Sequence, residues 1–244
     1  MRVRIKFSKN GSMKYIGHLD VMRYFQKALR RADFHTSLSG GFSPHMIMSF
    51  AAPLGVGLTS DAEYFDLDLE EAKSSSRMAE ELNRQMAPGF RVLSVREIPS
   101  DKGSKGMTLV AAAEYEVRLR GSVLPEDCGG TRISELLGLF LAQKEIFVTK
   151  KTKKGEREID IRPLIYSLSY SDGTFSMTIS QGSSNNLKPE LVIGAFAAFA
   201  GVSAEKSDMM IHRKELFADR TENGTHHFVP LDELGTDIKE GIDS

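Results

Sequence analysis

Residues 14–57 read KYIGHLDVMRYFQKALRRADFHTSLSGGFSPHMIMSFAAPLGVG, a basic helix that runs through a Gly/Pro/His loop into a strand. In the helix, expected over 17–32, Leu19, Met22, Phe25, Leu29 and Ala32 recur at spacings of three and four and make one apolar stripe. Upstream, Val3, Ile5 and Phe7 alternate with Arg2, Arg4 and Lys6, the pattern of a half-buried strand with one basic face. Downstream, 46–52 is a short apolar strand. In 62–69, Tyr64, Asp66 and Asp68 alternate with Phe65, Leu67 and Leu69, a second strand whose carboxylates form an exposed polar face. Ser74–Ser76 followed by Glu80 open a helix, and PGFRVLSVREI turns into a strand ending at Ile98. The order β-α-β-β-α-β is that of the ferredoxin-like split unit.

PSDKGSKG, residues 99–106, is polar and Gly-rich and marks a boundary. Beyond it the sequence predicts strands at 108–120, near 144–149, 157–161, 164–170 and 174–180, and at 206–213, with helices at 131–142 and 188–200. The expected organisation is α+β in two ferredoxin-like halves. Residues 1–98 form a basic N-terminal half, 99–107 a linker, 108–218 the second α+β half and 219–244 an acidic, partly ordered tail.

Charge is segregated along the chain. Residues 1–60 hold nine Lys/Arg against two Asp/Glu, a surplus of seven, although the whole chain has 32 against 33. Clustered positive charge in a neutral chain points to an anionic partner, most simply a phosphate backbone. Arg23, Lys27 and Arg30 share one helix face with Arg31 close by, either a phosphate-binding ridge or a solvated face. In the loop, Gly41 frees the backbone, Pro44 restricts it, Phe42 either stacks on a base or fills the core, and His45 suits phosphate donation or acid/base work. Lys150, Lys151, Lys153, Lys154 and Arg157 cluster around a turn at Gly155 as a second basic element, either a tip that tracks phosphates or a solvated turn, with Asp160 and Arg162 following on one strand face. The six histidines lack the spacing of a metal site, and no P-loop, GxGxxG or GxSxG motif is present. No apolar run approaches the roughly 20 residues that span a bilayer. The single cysteine, Cys128, precludes an internal disulfide framework. A reducing cytoplasm is the expected location.

GHLDVMRYFQKALRRADF, GGFSPHMIMSFAAPLGVG and GEREIDIRP resemble the radical-SAM-linked proteins, a bacterial domain of unknown function found beside or fused to radical SAM proteins. The matching positions include His18, Asp20, Arg30, Arg31, Gly41, Phe42, Pro44, His45, Asp160 and Arg162. The resemblance implies a radical SAM partner. This chain lacks the CxxxCxxC motif, so the iron–sulfur cluster and SAM are expected on that partner, with no cofactor in this chain. A looser similarity is to the CRISPR-repeat endoribonucleases of the RAMP superfamily, also paired ferredoxin-like domains. It implies metal-independent RNA cleavage by a set drawn from His45, His18, Tyr15 and Lys14. The expected role is an RNA-binding accessory subunit. The alternatives are that nuclease, or a protein-interaction module docking an acidic partner.

Overall fold

The computed structural model describes residues 1–121, 130–152, 155–183 and 185–240. Cys128, Lys153, Lys154 and the side chain of Lys151 lie outside them. The elements in chain order are β1 Arg2–Lys9, α1 His18–Arg31, β2 Met48–Phe50, β3 Thr59–Asp68, α2 Ser75–Asn83, β4 Phe90–Ile98, α3 Gly106–Leu109 and β5 Val110–Leu119. There follow α4 Gly130–Leu141, β6 Phe147–Thr152, β7 Gly155–Asp160, β8 Ile165–Ser171, β9 Thr174–Ser180, α5 Pro189–Phe199, β10 Met209–Asp219 and β11 Phe228–Pro230. The chain is α+β and divides into two compact units, Met1–Ala112 with Arg213–Ser244, and Ala113–His212. No helix among the described residues is long and apolar enough to cross a membrane.

In the first unit β1 pairs antiparallel with both β3 and β4, and β2 pairs antiparallel with β3. The order β4-β1-β3-β2 is that of the split β-α-β-β-α-β motif. Strand parity does what the sequence pattern predicts on one face: Val3, Ile5, Phe7, Phe65 and Leu67 are buried beneath α1 and α2 residues Val21, Phe25, Leu29, Met78 and Leu82. Phe7 and Phe25 meet at 4.5 Å between ring centroids, and Phe25 and Phe65 at 5.0 Å. The buried stripe of α1 is Val21, Phe25, Ala28 and Leu29. Leu19, assigned to that stripe above, is 58% exposed. It lies one position into the helix, where the stripe has not yet reached the sheet.

The other face of β1 departs from expectation. Arg2, Arg4 and Lys6 do not present a basic surface. Arg4 is fully buried and forms a bidentate pair with Asp66 at 2.8 and 3.1 Å. Its guanidinium also donates to the Leu231 and Ser104 carbonyls, and Gly106 N–H donates to Asp66 Oδ2 at 2.6 Å. Arg2 pairs with Asp68 and donates to the Ser100 and Asp101 carbonyls. Lys6 meets Glu215 at 2.6 Å, and Tyr64 donates to Glu215 at 2.6 Å and to Asp232 at 3.0 Å. Burial, reinforced by those two carboxylates, pushes the Tyr64 hydroxyl well above its ordinary pKa.

The boundaries shift for the same reason. Residues 99–106 are not a free linker, because Arg2 and Arg4 hold them down, and the division falls at 112/113. Residues 219–240 are not a tail. β11 pairs with β10, Leu231 is completely buried, and Asp232 accepts from Ser94 at 3.1 Å. Ser75 N–H donates to the Ile238 carbonyl at 2.9 Å, so the segment is stitched to the first unit as far as α2.

Beyond the first unit the strand order is β10-β5-β9-β8, with β8 and β9 antiparallel and β10 divided between the units at 212/213. With α4 and α5 this repeats the 4-1-3-2 strand order of the first unit. Phe196 stands at the aromatic centre of the second unit, its ring centroid 5.7 Å from that of Phe140 and 5.6 Å from that of Phe175. Among the described residues β6 and β7 pair with each other alone, as an inserted hairpin.

Candidate nucleic-acid interface

The sequence surplus of seven charges is not the surface surplus. Arg2, Arg4 and Lys6 are consumed by carboxylates, and Lys9 is 2% exposed, its Nζ donating to the Ile16 carbonyl at 3.0 Å. What remains outward is α1, where Arg23, Lys27, Arg30 and Arg31 are exposed. Arg23 touches Asp20 at 3.4 Å, both two-thirds exposed, a pair of little strength in water. Arg31 donates to the Gln85 side chain at 3.3 Å and carbonyl at 3.1 Å, which positions it without neutralising it. Lys27 and Arg30 have no ion pair among the described residues.

The end of α1 aims the following loop. Asp33 takes a left-handed φ of 55°, Asp33 N–H donates to the Arg30 carbonyl and Phe34 N–H to the Leu29 carbonyl at 3.0 Å. This is a Schellman closure with aspartate where glycine is usual. Arg30 and Arg31 in this last turn also favour the negative end of the helix dipole. The loop then folds into a small hairpin, with Leu38 bridging Met46 and Ser39 N–H donating to the His45 carbonyl at 2.8 Å. Gly41, at φ 102°, makes its tip. Phe42 is 110% exposed, so it is not a core residue. His45 Nδ1 lies 2.8 Å from Ser39 Oγ, which also accepts the His45 N–H at 3.1 Å. Ser39 Oγ thus holds His45 at both its ring and its backbone.

The nuclease set is not assembled by contact. His45 touches Ser39 and Ser43. His18 instead stacks edge-on against Phe50 at 4.9 Å, and Lys14 lies over the Tyr15 ring at 5.1 Å. His18, Lys9, Phe50 and Glu63 line a cavity of about 10 Å³, room for about one water. Sequence reading missed this cluster. Glu63 is buried and pairs with Arg213 at 2.8 Å. Burial raises the Glu63 carboxyl and lowers Lys9, and burial with the Lys9 charge lowers His18 below its ordinary 6.5.

A pH prediction follows from His18. Its folded-state pKa lies below the unfolded one, so its contribution to stability is complete above pH 6.5 and is lost as pH falls through the folded value. The imidazole should titrate below 6.5 by NMR. Melting temperature should fall on acidification below that pH, and His18→Gln should remove part of the fall. The raised Glu63 carboxyl acts in the opposite sense, favouring the fold at low pH, so the wild-type-minus-variant difference isolates the histidine. A His18 midpoint at or above 6.5 contradicts the burial argument.

In the second unit Asp160 and Arg162 serve the backbone. Asp160 Oδ1 accepts from Ile146 N–H at 2.8 Å and Arg162 N–H at 2.9 Å, and Arg162 Nε donates to the Leu141 carbonyl at 2.8 Å. They brace the foot of the β6–β7 hairpin.

Fold and surface together define an α+β protein of two units that share one strand order, the first carrying an exposed cationic helix and an aromatic hairpin tip. The chain belongs to the family described as "Uncharacterized protein conserved in bacteria (DUF2344)", whose model matches residues 2–189. No curated protein matches it. It is similar to a chain in the crystal structure of a Cbf5-Nop10-Gar1 complex, with 15% identity over 88% of this chain and 48% of that one at a TM-score of 0.46. The archaeal box H/ACA sRNP Nop10-Cbf5 complex is matched with 14% identity over 86% and 46% at 0.43. The chain spans about half the length of these solved chains. Similarity at this level assigns no function.

Proposed function

We propose that this protein is an RNA-binding accessory subunit that works with a separate radical SAM protein, in RNA modification. The observation that supports RNA binding is the fully exposed Phe42 ring at a hairpin tip. That hairpin directly follows a helix whose four cations remain outward after those of β1 are buried. A solvent-exposed aromatic next in sequence to a cationic ridge suits an unpaired base beside its phosphates. The radical SAM association rests on the sequence resemblance alone. One cysteine cannot hold a [4Fe–4S] cluster, so the cluster and SAM belong to the partner in this reading.

The test is Phe42→Ala in the full chain, with binding of a labelled single-stranded RNA and thermal melting measured together. A stacked base predicts a loss of about 1–3 kcal/mol in affinity with an unchanged melting point. Unchanged affinity would remove Phe42 from the interface. RNA binding that is absent or insensitive to salt, with or without the partner, would end the RNA reading. If the basic face docks an acidic protein instead, the purified chain will carry no nuclease-sensitive absorbance.

A further inference from the structure

The second unit holds a groove of about 550 Å³, within the size range of ligand sites, whose two cations come from the second basic element of the sequence. One wall is the β6–β7 hairpin. Its register places Lys150 opposite Arg157 and Val148 opposite Ile159. Directly opposed residues share a face, so this face carries two cations beside two apolar side chains. Thr149 and Glu158 are opposed on the alternate face of the hairpin; Glu158 and Asp160 nonetheless border the groove, beside the cation pair.

Two like charges directly opposite each other weaken a hairpin. Arg157 is exposed and has no hydrogen bond or ion pair among the described residues. Among the described residues Lys150 Nζ donates only to the Asn186 carbonyl, at 3.1 Å, a neutral acceptor that fixes the ammonium at the groove. That bond also joins the hairpin to the opposite wall, the segment between β9 and α5. Ser180 Oγ donates to the Asn185 carbonyl at 3.1 Å and holds the same segment. The carboxamides of Asn185 and Asn186 make no hydrogen bond among the described residues, and both residues are exposed. Ile159, Pro163 and Leu164 give the groove an apolar floor. The Asp160 brace, with its two backbone hydrogen bonds, keeps hairpin and floor in register.

A cation pair, an apolar floor and two unused amides are what one nucleotide needs. The phosphate takes the cations, the base lies on the floor, and the amides supply donors and acceptors for its edge. A base paired in a duplex has its edge occupied and its faces stacked. We infer that this groove binds one unpaired nucleotide of an RNA strand, an inference that rests on the RNA-binding reading above. It is a second contact point, separate in sequence from α1 and the Phe42 hairpin, and it gives the chain a preference for single strands.

The test is Arg157→Glu in the full chain. The substitution removes one phosphate contact and places a carboxylate in the groove. It also converts the Lys150–Arg157 repulsion into an attraction across the hairpin. Stability and binding should therefore move in opposite directions, which loss of a structural residue would not produce. Anisotropy with a labelled single-stranded RNA and with a duplex of the same sequence should show about tenfold weaker single-strand binding. Duplex binding should stay within about twofold, and the melting temperature should hold or rise. Asn185→Ala with Asn186→Ala should reproduce the single-strand loss without a charge change. If wild type binds single strands in a salt-dependent way and both variants match it within twofold, the groove inference falls and the RNA reading stands. If wild type binds neither probe, both fall together.

Discussion

Replacing Arg4 with methionine is expected to lower the unfolding free energy by about 3–5 kcal/mol, the cost of leaving one partner of a buried ion pair unpaired. Arg4 has no exposed surface and its side chain reaches Asp66, the Leu231 carbonyl and the Ser104 carbonyl. Its loss strands Asp66, 4% exposed, with only the Gly106 N–H for compensation. It also releases two segments, 100–106 and 228–238, that sequence pattern alone assigns to a linker and a tail. The double replacement Arg4→Met with Asp66→Leu should recover most of the loss, because apolar residues of similar volume remove the charge rather than orphan it. Urea unfolding measures both. A single-variant cost below about 1 kcal/mol would mean that this face is wet and that the β1 cations are available to ligands after all. Those cations occupy the sheet face through which other split β-α-β-β-α-β domains stack bases on aromatic side chains. In this protein that face is internal.

The second large effect is on binding. Changing Arg23, Lys27, Arg30 and Arg31 together to glutamine keeps helix propensity and removes four exposed cations. If each meets one phosphate of a single strand, the log–log salt slope should shrink by about three and affinity at 0.1 M salt should fall by roughly 10²–10³-fold. Stability should change little, since the four are outside the core; loss of Arg30 and Arg31 from the last helical turn costs about 0.3–1 kcal/mol each at most. A variant that binds RNA with the wild-type slope would show that α1 is only a solvated face.

The fold was largely legible. Period-two alternation in β1 and β3 and the three–four spacing in α1 are local signals, and both report which side chains face the core. The β-α-β-β-α-β order follows from them. What alternation cannot report is what covers the opposite face. Arg2, Arg4 and Lys6 read as a basic surface because their partners lie far along the chain: Asp66 and Asp68 on β3, Glu215 on β10, and Asp232 just beyond β11. Asp66 and Asp68 were misread as exposed for the same reason. The polar, acidic segment after 219 looks like a tail by composition, yet a single leucine, Leu231, anchors it.

The four α1 cations are exposed, on the helix face away from its buried stripe. Phe42 was ambiguous because an isolated aromatic between glycine and serine carries no periodicity. One signal was overlooked. Lys9 shares odd parity with Val3, Ile5 and Phe7, and Glu63 shares it with Phe65 and Leu67. A lysine and a glutamate on core-facing positions announce a buried charge cluster, and the structure joins them near His18 and Arg213. The groove in the second unit could not be read the same way. Asn185 and Asn186 stand in a loop, and only the hairpin register shows that Arg157 lies opposite Lys150.

The most direct test of the central claim is to irradiate cells with ultraviolet light, purify the chain, and map the RNA-crosslinked peptides by mass spectrometry. Crosslinks are expected at Phe42 and within residues 23–31. Crosslinks confined to β1, or a chain that carries no RNA at all, would contradict it.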